Sequence, residues 1–224
     1  MISGDTDMGR IQKIAPKAIF LSGGPNSVHE GGSPSLPDGF FEYTAAQNVP
    51  VLGICYGMQL LTHLLGGKVE PAPDGGEFGS MPIVIEAGST LFSAETATEQ
   101  TVWMSHGDNA TQLPTGFKCV AKSKQGATVA IEDPERKLFG LQYHPEVVHS
   151  KRGLETLRHF LTSIAGASRP APHCSHSYAV GNRMRRRSWV LNGRPPPDTV
   201  GARPSGAGLM GTAIRADPAR VVQA

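Results

Sequence analysis

One cysteine of the chain stands between two glycines, in Gly53-Ile54-Cys55-Tyr56-Gly57. The apolar run Val49–Ile54 leads into it, and a segment with Leu61, Leu64 and Leu65 at helical spacing follows it. A cysteine on a sharp strand-to-helix turn is held out from the sheet edge. Flanking glycines are needed because side chains would collide in so tight a bend. The positive end of the following helix also favours the thiolate form. A second candidate group is Tyr143-His144-Pro145-Glu146. In an extended segment residues two apart point the same way, so the His144 imidazole and the Glu146 carboxylate can lie side by side. Pro145 restricts the backbone between them. A carboxylate beside the ring fixes its tautomer and stabilises the imidazolium once a thiol proton has been taken. Taken singly, Cys55 reads equally as a small buried residue, and His144 reads better as a surface histidine with a solvated neighbour. Together they predict nucleophilic chemistry, with Cys55 attacking, His144 as base and Glu146 orienting the base.

Positioning such groups requires an α/β scaffold. Ala18–Leu21 is a short apolar run that stops at Ser22-Gly23-Gly24-Pro25, a buried strand feeding a loop. Residues 39–47 can form a helix with Phe40, Phe41 and Tyr43 as contacts, and Gly66-Gly67 stops the helix that follows Cys55. A β-rich stretch comes next, with strands expected at Met81–Glu86, Thr101–Met104, Phe117–Ala121, Thr128–Ile131 and Leu138–Tyr143. Leu154, Leu157, Leu161 and Ile164 predict a closing helix over residues 153–164.

Charge divides the 224 residues in two. Residues 1–166 carry 12 Lys+Arg against 17 Asp+Glu, a net −5, whereas residues 167–224 carry nine Arg, no Lys and two acids, a net +7. The expected organisation is an irregular lead-in over 1–16, a folded domain over 17–166 and a basic tail over 167–224. Pro195-Pro196-Pro197, further prolines and scattered glycines break any long element in the tail, which is expected to be disordered. Arg183-Met184-Arg185-Arg186-Arg187-Ser188-Trp189 could stack on and neutralise a nucleic acid, but a solvated basic tail is the simpler reading. Cys55, Cys119 and Cys174 form no C-x-x-C pair and no even disulfide framework, which argues for a reducing compartment. With no signal-like apolar stretch and no membrane span, a cytoplasmic location is expected. No metal-ligand spacing is present, so no metal is expected.

Gly53-Ile54-Cys55-Tyr56-Gly57-Met58-Gln59 with His144-Pro145-Glu146 resembles the class I glutamine amidotransferase family, over about Lys17 to Ile164. Ser105-His106-Gly107-Asp108 and Glu146-Val147-Val148-His149 resemble most the glutaminase domains of GMP synthetases. The resemblance implies a doubly wound, mostly parallel sheet with flanking helices and a β-rich insertion. It also implies hydrolysis of glutamine to glutamate and ammonia by the Cys55, His144 and Glu146 triad. It assigns the backbone N–H groups of Gly24 and Tyr56 to an oxyanion hole, where two such donors can lower the barrier by a few kcal/mol. Gln59, Ser105, Gly107 and Asp108 correspond to residues that hold the substrate glutamine. In the family, ammonia passes to an ATP-pyrophosphatase (synthetase) domain or subunit, which uses ATP and Mg to convert xanthosine monophosphate into GMP. The glutaminase step itself needs no cofactor.

Ser22-Gly23-Gly24-Pro25-Asn26-Ser27 is superficially like that synthetase's phosphate loop, but Pro25 lacks an N–H and Asn26 stands where Asp is expected. The synthetase half is therefore not expected in this chain. The resemblance further implies a strand, a loop and a helix ahead of Ala18–Leu21, where Met1–Pro16 shows no such pattern; low stability is the corresponding expectation. Two other functions stay open. One is a glutaminase serving another synthase, of the anthranilate or carbamoyl phosphate type. The other is an inactive truncated product.

Overall fold

A computed structural model describes residues 6–168. Two helices and two strands alternate first: α1 (Met8–Ile14), β1 (Ile19–Leu21), α2 (Phe40–Ala46) and β2 (Val51–Ile54). Then come α3 (Tyr56–Leu64), β3 (Lys68–Pro71), β4 (Glu77–Ile85), β5 (Glu99–His106), β6 (Asp108–Gln112), β7 (Lys118–Ser123), β8 (Thr128–Asp133) and β9 (Leu138–Leu141). Helix α4 (Gly153–His159) closes the body and runs on into a π-helical turn, Phe160–Ile164.

Seven strands form one sheet in the order β1-β2-β9-β8-β7-β4-β5, and β3 pairs with β6 in a separate two-stranded ribbon. Only β1–β2 and β2–β9 are parallel; the four remaining pairings of the large sheet are antiparallel. The sheet is thus mixed rather than mostly parallel, and the β-rich stretch extends it instead of forming a separate insertion. Connection length explains the difference. Parallel neighbours need a crossover, which α2 and α3 supply, whereas β7–β8 and β8–β9 are joined by short turns that return the chain antiparallel.

Alternation along the parallel strands divides the core. Ile19, Leu21, Val51 and Leu138 face α1, α2 and α3, packing with Ile11, Phe40 and Leu61. Phe20, Leu52, Ile54, Phe139 and Leu141 face the other way, where the core runs on through Ile83, Val102, Met104 and Val129 beneath Phe160. Leu157, Leu161 and Ile164 pack against this second face, but Leu154, expected with them, is exposed.

The lead-in is not irregular throughout. Asp7 caps α1 by accepting a 2.9 Å hydrogen bond from the Arg10 N–H, and Ile11 is fully buried. Seven residues with one buried side chain make too short a pattern to be read from periodicity. The basic tail expected over 167–224 lies outside the described residues apart from its first two positions.

Candidate active site

Cys55 sits between β2 and α3 with φ 52° and ψ −107°, a conformation costly to a residue with a side chain, about 1–3 kcal/mol. The flanking glycines allow it. A Cβ on Gly53 would lie 2.5 Å from the Gly57 carbonyl, and one on Gly57 would overlap the Leu21 carbonyl oxygen. Glycine at both positions lets the strand, the turn and β1 close on one another.

The sheet curls so that its far strand returns to this turn. The Cys55 Sγ lies 3.6 Å from the carbonyl oxygen of Ser105, near the end of β5, although β2 and β5 stand at opposite sides of the strand order. His144 follows β9, and its N–H donates to the Trp103 carbonyl of β5 at 3.0 Å. Its Nδ1 lies 2.8 Å from the Glu146 Oε1. Interaction with the Cys55 sulfur and then with Glu146 pushes the His144 pKa up to about 10, against the effect of burial. Burial raises Glu146 in turn, but the hydrogen bond to His144, one to its own backbone and the charge of His144 together outweigh it, and the carboxyl is held below its ordinary range. Cysteine, histidine and glutamate are thus in one electrostatic unit.

The remaining sequence-predicted residues converge from three segments. Gly24 comes against the first residue of α3: a Cβ there would lie 3.9 Å from the Cβ of Tyr56. Tyr56 is buried, and its hydroxyl donates to the Pro34 carbonyl at 2.5 Å, pinning the loop that contains Gly24. The Tyr56 N–H is in the first turn of α3, where no intrahelical acceptor exists. Gln59, one turn beyond Cys55, donates from Nε2 to the Asp108 carbonyl at 3.0 Å. Ser105 and Gly107 are exposed and Asp108 is half-buried.

Several neighbours were not singled out by the sequence. The Ser27 hydroxyl donates to Asp108 Oδ2 at 2.7 Å, tying the Gly24 loop to β6. Gln142, fully buried, accepts from Gln59 Nε2 at 3.3 Å. His106 Nδ1 faces the Asp108 carbonyl at 3.1 Å, so that nitrogen carries a proton, and Nε2 lies 3.4 Å from the buried Glu77 carboxylate. Burial lowers the His106 pKa despite these partners. Ser150 bridges Trp103 and His144. Apart from the local His106–Asp108 and Ser150–His144 contacts, these partners lie between 29 and 83 residues apart, so only the fold reveals them. Among the described residues no group of three or more His, Cys, Asp or Glu is arranged to hold a metal ion. No helix among them is long and apolar enough to cross a membrane.

A strained cysteine on a strand-to-helix turn, facing a histidine paired with a glutamate, can form and hydrolyse a thioester. The chain belongs to the class-I glutamine amidotransferase family, whose model matches residues 2–164. That match takes in α1, ahead of the Lys17 start suggested by the motifs. Among curated relatives, a glutamine-hydrolysing GMP synthase of Enterococcus faecalis is 46% identical over 168 residues, covering 75% of this chain and 31% of the relative. The corresponding protein of Macrococcus caseolyticus is 51% identical over 154 residues, covering 69% and 29%. The chain therefore spans under a third of the length of these relatives. The crystal structure of a candidate GMP synthase component from Thermoplasma acidophilum is similar, with a TM-score of 0.59 and 29% identity over 67% of this chain and 73% of that one.

Proposed function

We propose that this chain is the glutamine-hydrolysing component of a GMP synthase, acting through Cys55, His144 and Glu146. The observation that carries the reading is the hydrogen-bonded His144–Glu146 pair beside a cysteine held at positive φ. His144, oriented through Nδ1 by Glu146, takes the Cys55 proton on Nε2. The sulfur attacks the side-chain carbonyl carbon of glutamine, and the oxygen gains a negative charge facing the N–H groups of Gly24 and Tyr56. As the tetrahedral centre collapses, the C–N bond breaks and His144 returns its proton to the departing nitrogen, releasing ammonia. Water, deprotonated by His144, then attacks the glutamyl thioester. The C–S bond breaks, glutamate leaves, and the sulfur recovers its proton.

Ser105, Gly107 and Asp108 hold the α-amino and α-carboxylate groups of the substrate, and Gln59 supports them from α3. This cycle needs no metal or cofactor. ATP and Mg act in the partner, a synthetase domain or subunit of the ATP-pyrophosphatase type, which consumes the ammonia to convert xanthosine monophosphate into GMP in the cytoplasm. The relatives named above support that assignment over other ammonia-consuming pathways.

The test is glutamate release by the full chain and by Cys55→Ser. Loss of release in the variant, with stimulation of the unaltered chain by a GMP-forming synthetase half, is the expected result. Unchanged hydrolysis by Cys55→Ser would remove the assignment.

A further inference from the structure

Beyond the triad, one hydroxyl group fixes where the base stands. We propose that Ser150 is a positioning residue for the reaction assigned above, its side chain clasping the His144 peptide to strand β5. The inference rests on that functional reading, but concerns a residue outside the reacting groups.

The free edge of β5 is where the His-Pro-Glu segment docks, since β5 ends the sheet order. His144 donates its N–H to the Trp103 carbonyl at 3.0 Å, and the Lys151 N–H donates to the Thr101 carbonyl at 3.3 Å. Between these two contacts the chain bulges away through Pro145, which has no N–H to give. Ser150 fills the gap. It is only 4% exposed; its hydroxyl donates to the His144 carbonyl at 2.5 Å and accepts from the Trp103 N–H at 3.0 Å. Turn hydrogen bonds hold Ser150 itself, from its N–H to the Val147 carbonyl and from the Gly153 N–H to its own carbonyl, each at 3.0 Å.

Both polar groups of the His144 backbone are therefore fixed to one residue of β5, one directly and one through Ser150. Two residues further on, the same strand presents the Ser105 carbonyl beside the Cys55 sulfur. Strand, base and nucleophile share one frame. Without the hydroxyl, one direct bond remains and the peptide can pivot about it. The imidazole and Glu146 would move together, because their own hydrogen bond is local. The base would then lose its alignment with sulfur while the glutamine-holding groups at Gln59 and Asp108, tied to one another, stayed in place. Such a change lowers the chemical rate and spares substrate binding.

The experiment compares the full chain with Ser150→Ala and Ser150→Thr, which restores a hydroxyl. Three quantities are read: kcat and KM for glutamine, alkylation of Cys55 by iodoacetamide at neutral pH, and the thermal midpoint. The expected outcome for Ser150→Ala is a kcat loss of about 10- to 100-fold with KM changed by no more than about threefold. Alkylation of Cys55 slows, and Ser150→Thr recovers most of both rates. If Ser150→Ala does not melt cooperatively, Ser150→Cys, of similar size but a weak donor, is judged by the same criteria. Unaltered kcat and alkylation, whatever the midpoint, would overturn the proposal and leave Ser150 with a folding role only. A loss in KM alone would overturn it equally. An unaltered chain that neither hydrolyses glutamine nor alkylates preferentially at Cys55 would instead overturn the functional reading beneath it.

Discussion

Gly23 offers a test of how closely His144 and Cys55, the proposed base and nucleophile, are packed. A methyl group at this position would place its carbon 2.9 Å from the His144 Cε1 and 3.4 Å from the Cys55 Cβ. Carbon atoms rest at about 3.5–4.0 Å, so in Gly23→Ala the imidazole must retreat by roughly 0.6–1 Å. The backbone of Gly23 is outside the left-handed region, which leaves displacement of the ring as the principal effect. A misplacement of about 1 Å can cost roughly 100-fold in rate, equivalent to about 2.7 kcal/mol of barrier. We expect Gly23→Ala to lose on the order of 100-fold in kcat for glutamine hydrolysis. Its thermal midpoint should stay within a few degrees of the parent's. Gly31→Ala is the matched control, because its added carbon meets nothing within 4 Å. A Gly23→Ala chain with kcat within about twofold of the parent would show that the imidazole is not held against this loop.

Two further outcomes concern stability. The raised His144 pKa means that protonated His144 contributes stability fully below its ordinary value near 6.5, and that this contribution is lost as pH rises through about 10. Between about pH 8 and 10 the parent's thermal midpoint should therefore fall more steeply than that of His144→Gln; identical slopes would contradict the coupling. Glu132, with no exposed surface, accepts hydrogen bonds from the Thr90 and Leu91 N–H groups and from the Ser89 hydroxyl, and pairs with Lys118 at 3.0 Å. Glu132→Ala should cost about 3–5 kcal/mol in denaturant unfolding, because it leaves buried donors unpaired. Lys118→Met, at a side chain 54% exposed, should cost less than about 1 kcal/mol, and equal losses would refute this ranking.

The geometry of the candidate site was legible where its signals are local. The Cys55 turn is written in two glycines that a close approach demands, and His144 and Glu146 are two residues apart, as side-by-side placement requires. Strands β1 and β2 were legible because both faces are buried, leaving short unbroken apolar runs. Strands β3 and β6 were not: Lys68–Pro71 and Asp108–Gln112 each bury only one residue and depend on each other for pairing. Strand direction was also missed, since a strand's composition does not say whether its partner runs parallel. The contacts that gather the site are longer still in sequence, with Ser27 81 residues from Asp108 and Trp103 47 from Ser150. Periodicity within a segment carries no record of such pairs.

In the proposed reaction Cys55 carries the glutamyl group during glutamine hydrolysis. The most direct test of this step is acid-quenching of the full chain during turnover, followed by intact-mass and peptide mass spectrometry. A thioester on Cys55 would appear as a species heavier by one glutamyl group, with the addition on the peptide containing Cys55 and sensitive to hydroxylamine. Glutamate release without any such adduct, or an adduct on Cys119 or Cys174, would contradict it.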